Sequence, residues 1–320
     1  MKNPSPGKSW KKFLFKAAVS LAAIFYLYFN LEWTRLVEIS GRISALPVIV
    51  STVLGAIGIF LVSWKYFCLL QGTDLQTGYL RVTAVSFISR FYALLIPSGL
   101  GKEAVRWYKI TENRTGRSFF LASIALERMI FGAMLMFFGT IPLFMITDVP
   151  EIIRLRGQIL PLILICYGFI FTGMIYFFVP AVHEWINRTV KRVLRIHSGS
   201  RTNVFLQNFN LKNTSPRILL VLILIRLLWQ VVYVARIALL SQAAGLDLAV
   251  VDVVWMSSLV LLIQVLPVSV AGLGLREGAF AFLLSLYGHP QEAGVIIGLL
   301  FFVQMLVYCL AGGVLNFFEK

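Results

Sequence analysis

Two short stretches place acid and base side by side just after a flexible turn. Residues 97–106 read Pro-Ser-Gly-Leu-Gly-Lys-Glu-Ala-Val-Arg, and Pro267 is followed by Gly272-Leu273-Gly274 and then Arg276-Glu277. Glycine lets the backbone turn tightly and approach a ligand closely. A helix starting at such a turn aims unpaired N–H groups and the positive end of its dipole at the break, an arrangement that suits an anion such as a phosphate. Arg106 and Arg276 offer the forked donors that grip a phosphate with two bonds. Glu103 and Glu277 could hold those arginines in place or carry a coupling proton. A structural role fits the same residues: Glu103 and Arg106 are three apart and can pair on one helix face. The duplication favours function, so Gly99, Gly101, Glu103, Arg106, Gly272, Gly274, Arg276 and Glu277 are candidate substrate-binding residues.

Further charges lie inside apolar runs, where an ionisable side chain costs a few kcal/mol and so faces a bundle interior or a watery cavity. Arg90 precedes the first Gly-Leu-Gly, and Glu127-Arg128 is an adjacent pair inside a later run. Neighbours on a helix point about 100° apart, so Glu127 and Arg128 need different partners. These three join the candidate set. Arg226 lies deep in its run, whereas Arg236 is near enough to the end to snorkel. Gln230, Gln264 and Gln304 are read first as hydrogen-bonding glue between helices.

The elements that position these residues follow from composition. Of 320 residues 59% are apolar and 13% charged, with a mean hydropathy of +0.84, far from the mix of a soluble domain. The chain is expected to be one integral membrane domain, all-α, a polytopic bundle with no room for a soluble domain. Full spans are expected at 13–30, 46–70, 118–147, 159–180, 217–244 and 292–317, each long enough to cross. The run 13–30 leaves through Tyr26-Leu27-Tyr28-Phe29-Asn30 and is a retained helix, not a cleaved signal. Segments 79–106 and 252–287 each begin as a spanning helix, break at proline and glycine, and resume.

Loop charge decides what the broken segments do, because Lys and Arg collect on the cytoplasmic side. The basic N-terminal tail, the loop marked by Lys65 and Arg81, and the loop with Lys109, Arg114 and Arg117 all belong inside. A single crossing by 79–106 would put the last of these on the wrong face. Segment 79–106 therefore enters from the cytoplasm, turns at Pro97-Ser98-Gly99 and returns. Segment 252–287 starts outside, after Asp247 and Asp252, and returns to the loop 288–291. Two oppositely facing hairpins make an inverted repeat, and such interrupted segments in the two halves of a chain point to a transport site. The alternative is eight plain crossings with two kinked helices. Both termini are expected in the cytoplasm.

The loop 181–216 is basic and cytoplasmic. Within it, residues 185–197 segregate Ile186, Val190, Val193 and Leu194 from Arg188, Lys191, Arg192 and Arg195. Such a helix can lie in an anionic headgroup layer or serve as a solvated connector. Cys68, Cys166 and Cys309 are scattered singly, as are the three histidines, and no nucleotide loop is visible. No catalytic residue, metal site or cofactor is expected, and no nucleic-acid partner.

Three elements in order carry a family resemblance: Pro97-Ser98-Gly99-Leu100-Gly101 with Glu103 and Arg106, then Leu126-Glu127-Arg128, then Leu266-Pro267 through Gly272-Leu273-Gly274 with Arg276-Glu277. The pattern resembles the membrane domain of bacterial lysylphosphatidylglycerol synthases and the stand-alone flippase-like proteins related to it, from about residue 13 to the C-terminus. The resemblance implies a multi-pass protein of the bacterial inner membrane that moves an anionic phospholipid, polyprenyl-phosphate lipid or lipid-linked sugar between leaflets. It also implies an alternative role as an accessory or scaffold subunit beside a lipid-modifying or glycosyl-transferring enzyme. In the full synthases a soluble domain transfers lysine to phosphatidylglycerol. No such domain follows the last helix in these 320 residues, so an enzymatic activity is not expected. An intramembrane transferase using Glu103 or Glu277 is the third and weakest reading.

Overall fold

The computed structural model describes residues 18–319 except 24, 30, 72–74, 76, 96–100, 112–116, 194–215, 266–268, 270 and 271. Among the described residues all regular structure is helical. In chain order the helices are α1 (Ala18–Phe29), α2 (Trp33–Gly41), α3 (Ala45–Leu70), α4 (Tyr79–Leu95), α5 (Gly101–Thr111), α6 (Arg117–Met145), α7 (Pro150–Phe178), α8 (Pro180–Val193), α9 (Pro216–Ala243), α10 (Val250–Val265), α11 (Leu275–Ser285) and α12 (Gln291–Phe318). Helices α3, α6, α7, α9 and α12 are long and apolar enough to cross a membrane. The expected span 13–30 is described from Ala18 and forms the shorter apolar helix α1.

One boundary differs clearly from expectation. Helix α7 begins at Pro150, nine residues before the expected span 159–180, and continues through Pro161. Proline at the first helical position loses no needed N–H, and Glu151 in the first turn favours the dipole. Residues 150–158, left between the expected spans 118–147 and 159–180, are therefore the first turns of the helix. The amphipathic helix expected from Trp185 likewise starts earlier, at Pro180; its predicted continuation past 193 lies outside the described residues.

Both broken segments are helical hairpins. At 1.5 Å per residue, an unbroken helix would hold Ser89 and Arg106 about 25 Å apart, yet Arg106 Nη2 donates to Ser89 Oγ at 3.5 Å. Helices α4 and α5 must therefore double back. Trp255 Nε1 similarly donates to the Tyr287 hydroxyl at 2.7 Å, and that hydroxyl also bonds the Asp252 carboxylate, which pins the open end of the α10/α11 hairpin. Straight kinked rods are excluded. The expected turn at Pro97-Ser98-Gly99, and Pro267, lie outside the described residues.

Helix α12 serves as a ruler for the two hairpins. Its Gly298 and Gly294 lie against Glu277 and the Phe280–Ala281 backbone of α11, while Gly312 and Gly313 lie against Phe87 and Phe91 of α4. Residue numbers fall on α11 as they rise on α12, and on α4 the Cys309 Sγ contact with the Arg90 carbonyl at 3.4 Å followed by that of Gly312 with Phe87 gives the same sense, so both arms run antiparallel to it. The tip of α4 and the start of α11 thus approach the middle of α12 from its two ends. The hairpins enter the bundle from opposite ends, with the last turn of α4 and the first turn of α11 near the middle of α12.

The packing also exchanges under a two-fold relation that swaps α3 with α9, the α4/α5 hairpin with the α10/α11 hairpin, and α6 with α12. Helices α3 and α9 pack on each other; α4 packs on α12 as α10 packs on α6; α5 packs on α6 as α11 packs on α12. Helix α7 stands outside this core, packed on α6 and α8. It presents Leu162, Leu164, Ile165, Phe169 and Phe171 outward, a surface that suits lipid.

The glycines of α12 set how closely the hairpins can approach. A Cβ on Gly294 would come within 2.4 Å of the Ala281 nitrogen, and one on Gly312 within 2.2 Å of the Phe87 carbonyl oxygen. Backbone cannot move aside as a side-chain end can. Gly294→Leu and Gly312→Leu should each cost about 1–3 kcal/mol through overpacking, seen as a lowered melting temperature in detergent. Gly168→Ala, where nothing lies within 4 Å, should leave it unchanged or slightly raised.

Candidate functional site

Beside the inner ends of α4, α10 and α11 the bundle holds a half-open cavity of about 160 Å³. It has room for several waters or a small headgroup. Three guanidinium groups line it: Arg90 from α4, Arg236 from α9 and Arg276 from α11, with Gln264 of α10. Trp229, Tyr233, Phe301 and Tyr308 form aromatic walls, and Gly55 and Gly58 let the Tyr308 hydroxyl, Arg236 and the Trp229 indole lie directly against α3. No carboxylate is among the lining residues.

Each arginine is held by a different device. Arg236 Nε donates to the Ser51 carbonyl at 3.1 Å and Nη2 to Gln304 Oε1 at 2.6 Å, and its guanidinium lies over the Phe301 ring at 4.2 Å. Arg276 donates through Nε and Nη2 to Glu277 Oε1 at 3.1 and 2.5 Å. Glu277 Oε2 accepts the Gly274 N–H at 2.8 Å. Arg90 Nη1 donates to the Ser86 carbonyl at 3.2 Å. Only Arg276 has a carboxylate partner among the described residues, so the cavity has an excess of positive charge. The low-dielectric surroundings strengthen that field, and an anion entering the cavity would meet fixed donors.

A second polar group lies toward the end of the bundle where α4 begins. Lys65 Nζ donates to Glu127 Oε1 at 2.5 Å, with both side chains buried, and Arg226 Nη1 lies 4.0 Å from the same carboxylate. Glu103 pairs with Arg128, with Lys102 3.8 Å away. Arg106 is 1% exposed and lies over the Tyr66 ring at 4.3 Å. Helices α3, α5, α6 and α9 are thereby tied together by charge.

The sequence candidates divide between these groups. Arg90 and Arg276 line the cavity, with Glu277 behind Arg276; Glu103, Arg106, Glu127 and Arg128 lie in the second group. Glu127 and Arg128 take separate partners, as their angular separation requires. Arg106 bonds Ser89 in place of Glu103. Gly272 and Gly274 have φ of +79° and +78°, a conformation open chiefly to glycine, and they form the turn into α11. The Gly274 N–H faces Glu277, so the guanidinium groups, not this N–H, face the cavity. Gly101 opens α5 and is buried; Gly99 lies outside the described residues.

Two buried charges were read otherwise from sequence, and a third, Arg226, was placed deep in its run without a partner. Lys65 is not a loop marker but 3% exposed inside α3. Arg236 does not snorkel: at 8% exposed it turns inward to Ser51 and Gln304. Arg226 pairs across to α6. The signal was present, since all three are charges inside a span, but their partners are remote in sequence. Gln230 Nε2 donates to Ser258 Oγ at 3.3 Å and Gln304 joins α12 to α3 and α9, as interhelical glue should. Among the described residues no group of three or more His, Cys, Asp or Glu could hold a metal.

A family model described as the lysylphosphatidylglycerol synthase TM region matches residues 13–313. No curated protein and no solved structure matches the chain.

Buried and exposed ion pairs should respond differently to loss of a carboxylate. Glu127→Gln strands Lys65 and Arg226 in the interior and should cost about 3–5 kcal/mol, read as a large fall in melting temperature. Glu38→Gln removes the exposed pair with Arg42, 2.8 Å apart, and should change stability by no more than about 1 kcal/mol.

Proposed function

The chain belongs to the lysylphosphatidylglycerol synthase membrane-region family, and from that premise we propose that it moves an anionic lipid or lipid-linked sugar between the leaflets of the bacterial inner membrane. The observation that supports this most is the cavity lined by Arg90, Arg236 and Arg276 at the meeting point of two opposed hairpins. A phosphate headgroup there receives charge-assisted bonds, while its acyl chains stay in lipid.

On this reading both hairpins are re-entrant. Arms α5 and α11 have eleven residues each, which rise only about 17 Å, little more than half of the roughly 30 Å hydrocarbon core. Hairpin α4/α5 enters from the cytoplasmic side, where Arg81 and Lys109 lie and where both termini reside. Hairpin α10/α11 enters from the exterior with Asp252 at its mouth. Each leaflet then has a half-depth entry to one shared site. The lipid crosses chemically unchanged, so the chain acts as a carrier and not as an enzyme.

Reconstituted in vesicles, the protein should speed leaflet exchange of a labelled acidic phospholipid. Arg90→Gln, Arg236→Gln and Arg276→Gln should each slow that exchange at least tenfold, equivalent to about 1.4 kcal/mol. Failure of the unaltered protein to accelerate exchange of any acidic or polyprenyl-phosphate lipid would overturn the reading. Exchange that tolerates all three substitutions would remove the cavity from the lipid's path, and absence of exchange by the unaltered protein would favour the accessory-subunit role. The topology has its own check: Lys109→Cys should label from the cytoplasm and His289→Cys from the exterior.

A further inference from the structure

Arg226 is buried yet poorly satisfied. It is 6% exposed, and among the described residues its Nε and Nη2 have no hydrogen-bond partner. Its one carboxylate contact, with Glu127, is at the 4.0 Å limit of an ion pair, and Lys65 holds the same oxygen at 2.5 Å. The Nε atoms of Arg106 and Arg128 are also buried without partners. Among the described residues Lys65, Lys102, Arg106, Arg128 and Arg226 thus outnumber Glu103 and Glu127, and four buried donor atoms are left over against one buried acceptor, Glu103 Oε2. Buried polar groups are as a rule satisfied, and each exception in a native fold calls for a reason such as a missing ion.

Position gives this excess a meaning. Arg226 and Arg236 are ten residues apart on α9, about 15 Å along its axis and facing directions roughly 80° apart. Arg236 lines the cavity; Arg226 does not. Trp229 lies between the two: its indole lines the cavity, and the Arg226 guanidinium lies over the same ring at 4.2 Å. Phe131 covers the other approach to Arg226, 3.6 Å from its ring centroid.

We propose that Arg226, with Lys65 and Arg128, forms a second binding station for a phosphate-bearing group, separated from the central cavity by Trp229. It deepens the lipid-moving reading by giving the anion two resting places at different depths, with the indole as the partition it must pass. The chemistry is that of a phosphate, whether on a lipid headgroup or free in solution.

The test is a binding count on the full chain. Inorganic phosphate is titrated into detergent-solubilised protein by calorimetry, and phosphatidic acid is titrated in nanodiscs, with Trp229 emission isolated by subtracting a Trp229→Phe variant. Two sites are expected in at least one arm, and the responding arm identifies free phosphate or lipid as the source. Arg226→Gln should remove one site and Arg236→Gln the other. Arg226→Lys, which keeps the charge but loses the fork, should weaken the second site about tenfold at an unchanged melting temperature, so the count stays interpretable if the glutamine variant fails to fold. A single site indifferent to Arg226→Gln and Arg226→Lys, or no binding in either arm, overturns the second station. Two sites in a protein that fails to speed lipid exchange would keep the station while removing the transport reading.

Discussion

The structure depends on one constraint: a guanidinium buried in an apolar bundle must find donors' partners inside the protein, because lipid offers none. Arg236 meets it with a backbone carbonyl, a glutamine and an aromatic face. Arg276 meets it with the adjacent glutamate, which also satisfies the first N–H of its helix. These solutions fix the side chains before any ligand arrives. Preorganised donors in a low-dielectric site lose little on meeting an anion, and that is what the central cavity offers.

The fold supplies such a place without breaking the backbone rule of membranes. Non-helical chain at membrane depth is tolerated where protein or a cavity surrounds it, and the inner ends of α4 and α11 both lie beside the middle of α12. Gly294, Gly298 and Gly312 let the hairpin arms approach α12 at backbone distance. Close packing of small residues does here what the hydrophobic effect does in water, since lipid tails are as apolar as the helix surfaces.

Much of this architecture was legible because it depends on local signals. The paired Gly-Leu-Gly breaks and the placing of Lys109, Arg114 and Arg117 against Asp247 and Asp252 predicted opposed hairpins, and the fold-back between Ser89 and Arg106 has that form. The start of α7 was misjudged because charged first turns read as a loop, although Pro150 and Glu151 marked a helix beginning. The polar network was harder to read. Lys65 finds Glu127 across 62 residues, and Arg236 reaches Ser51 across 185, separations that no helical period reveals. Proximity to the end of its span made snorkelling the cheaper solution for Arg236, and tertiary packing overrode it.

The two-fold relation of the backbone is not shared by its charges. Aligning the two Gly-Leu-Gly turns places Glu103 opposite Arg276 and Arg106 opposite Ala279, while Lys65, Glu127 and Arg128 fall opposite Ala238, Leu300 and Phe301. A duplicated scaffold has thus been given cations on one side and at the centre, and aromatic and aliphatic residues on the other. For a carrier with equivalent entries, symmetric charge would make the two sides energetically alike. On the proposed lipid-moving reading, concentrating buried cations toward the end where α4 begins would make the anion's free energy differ along its path, so exchange in the two directions would pass over unequal intermediate depths. Such a profile cannot set the final equilibrium between leaflets, which depends only on the lipid in each; it sets where the anion waits and which step limits the rate.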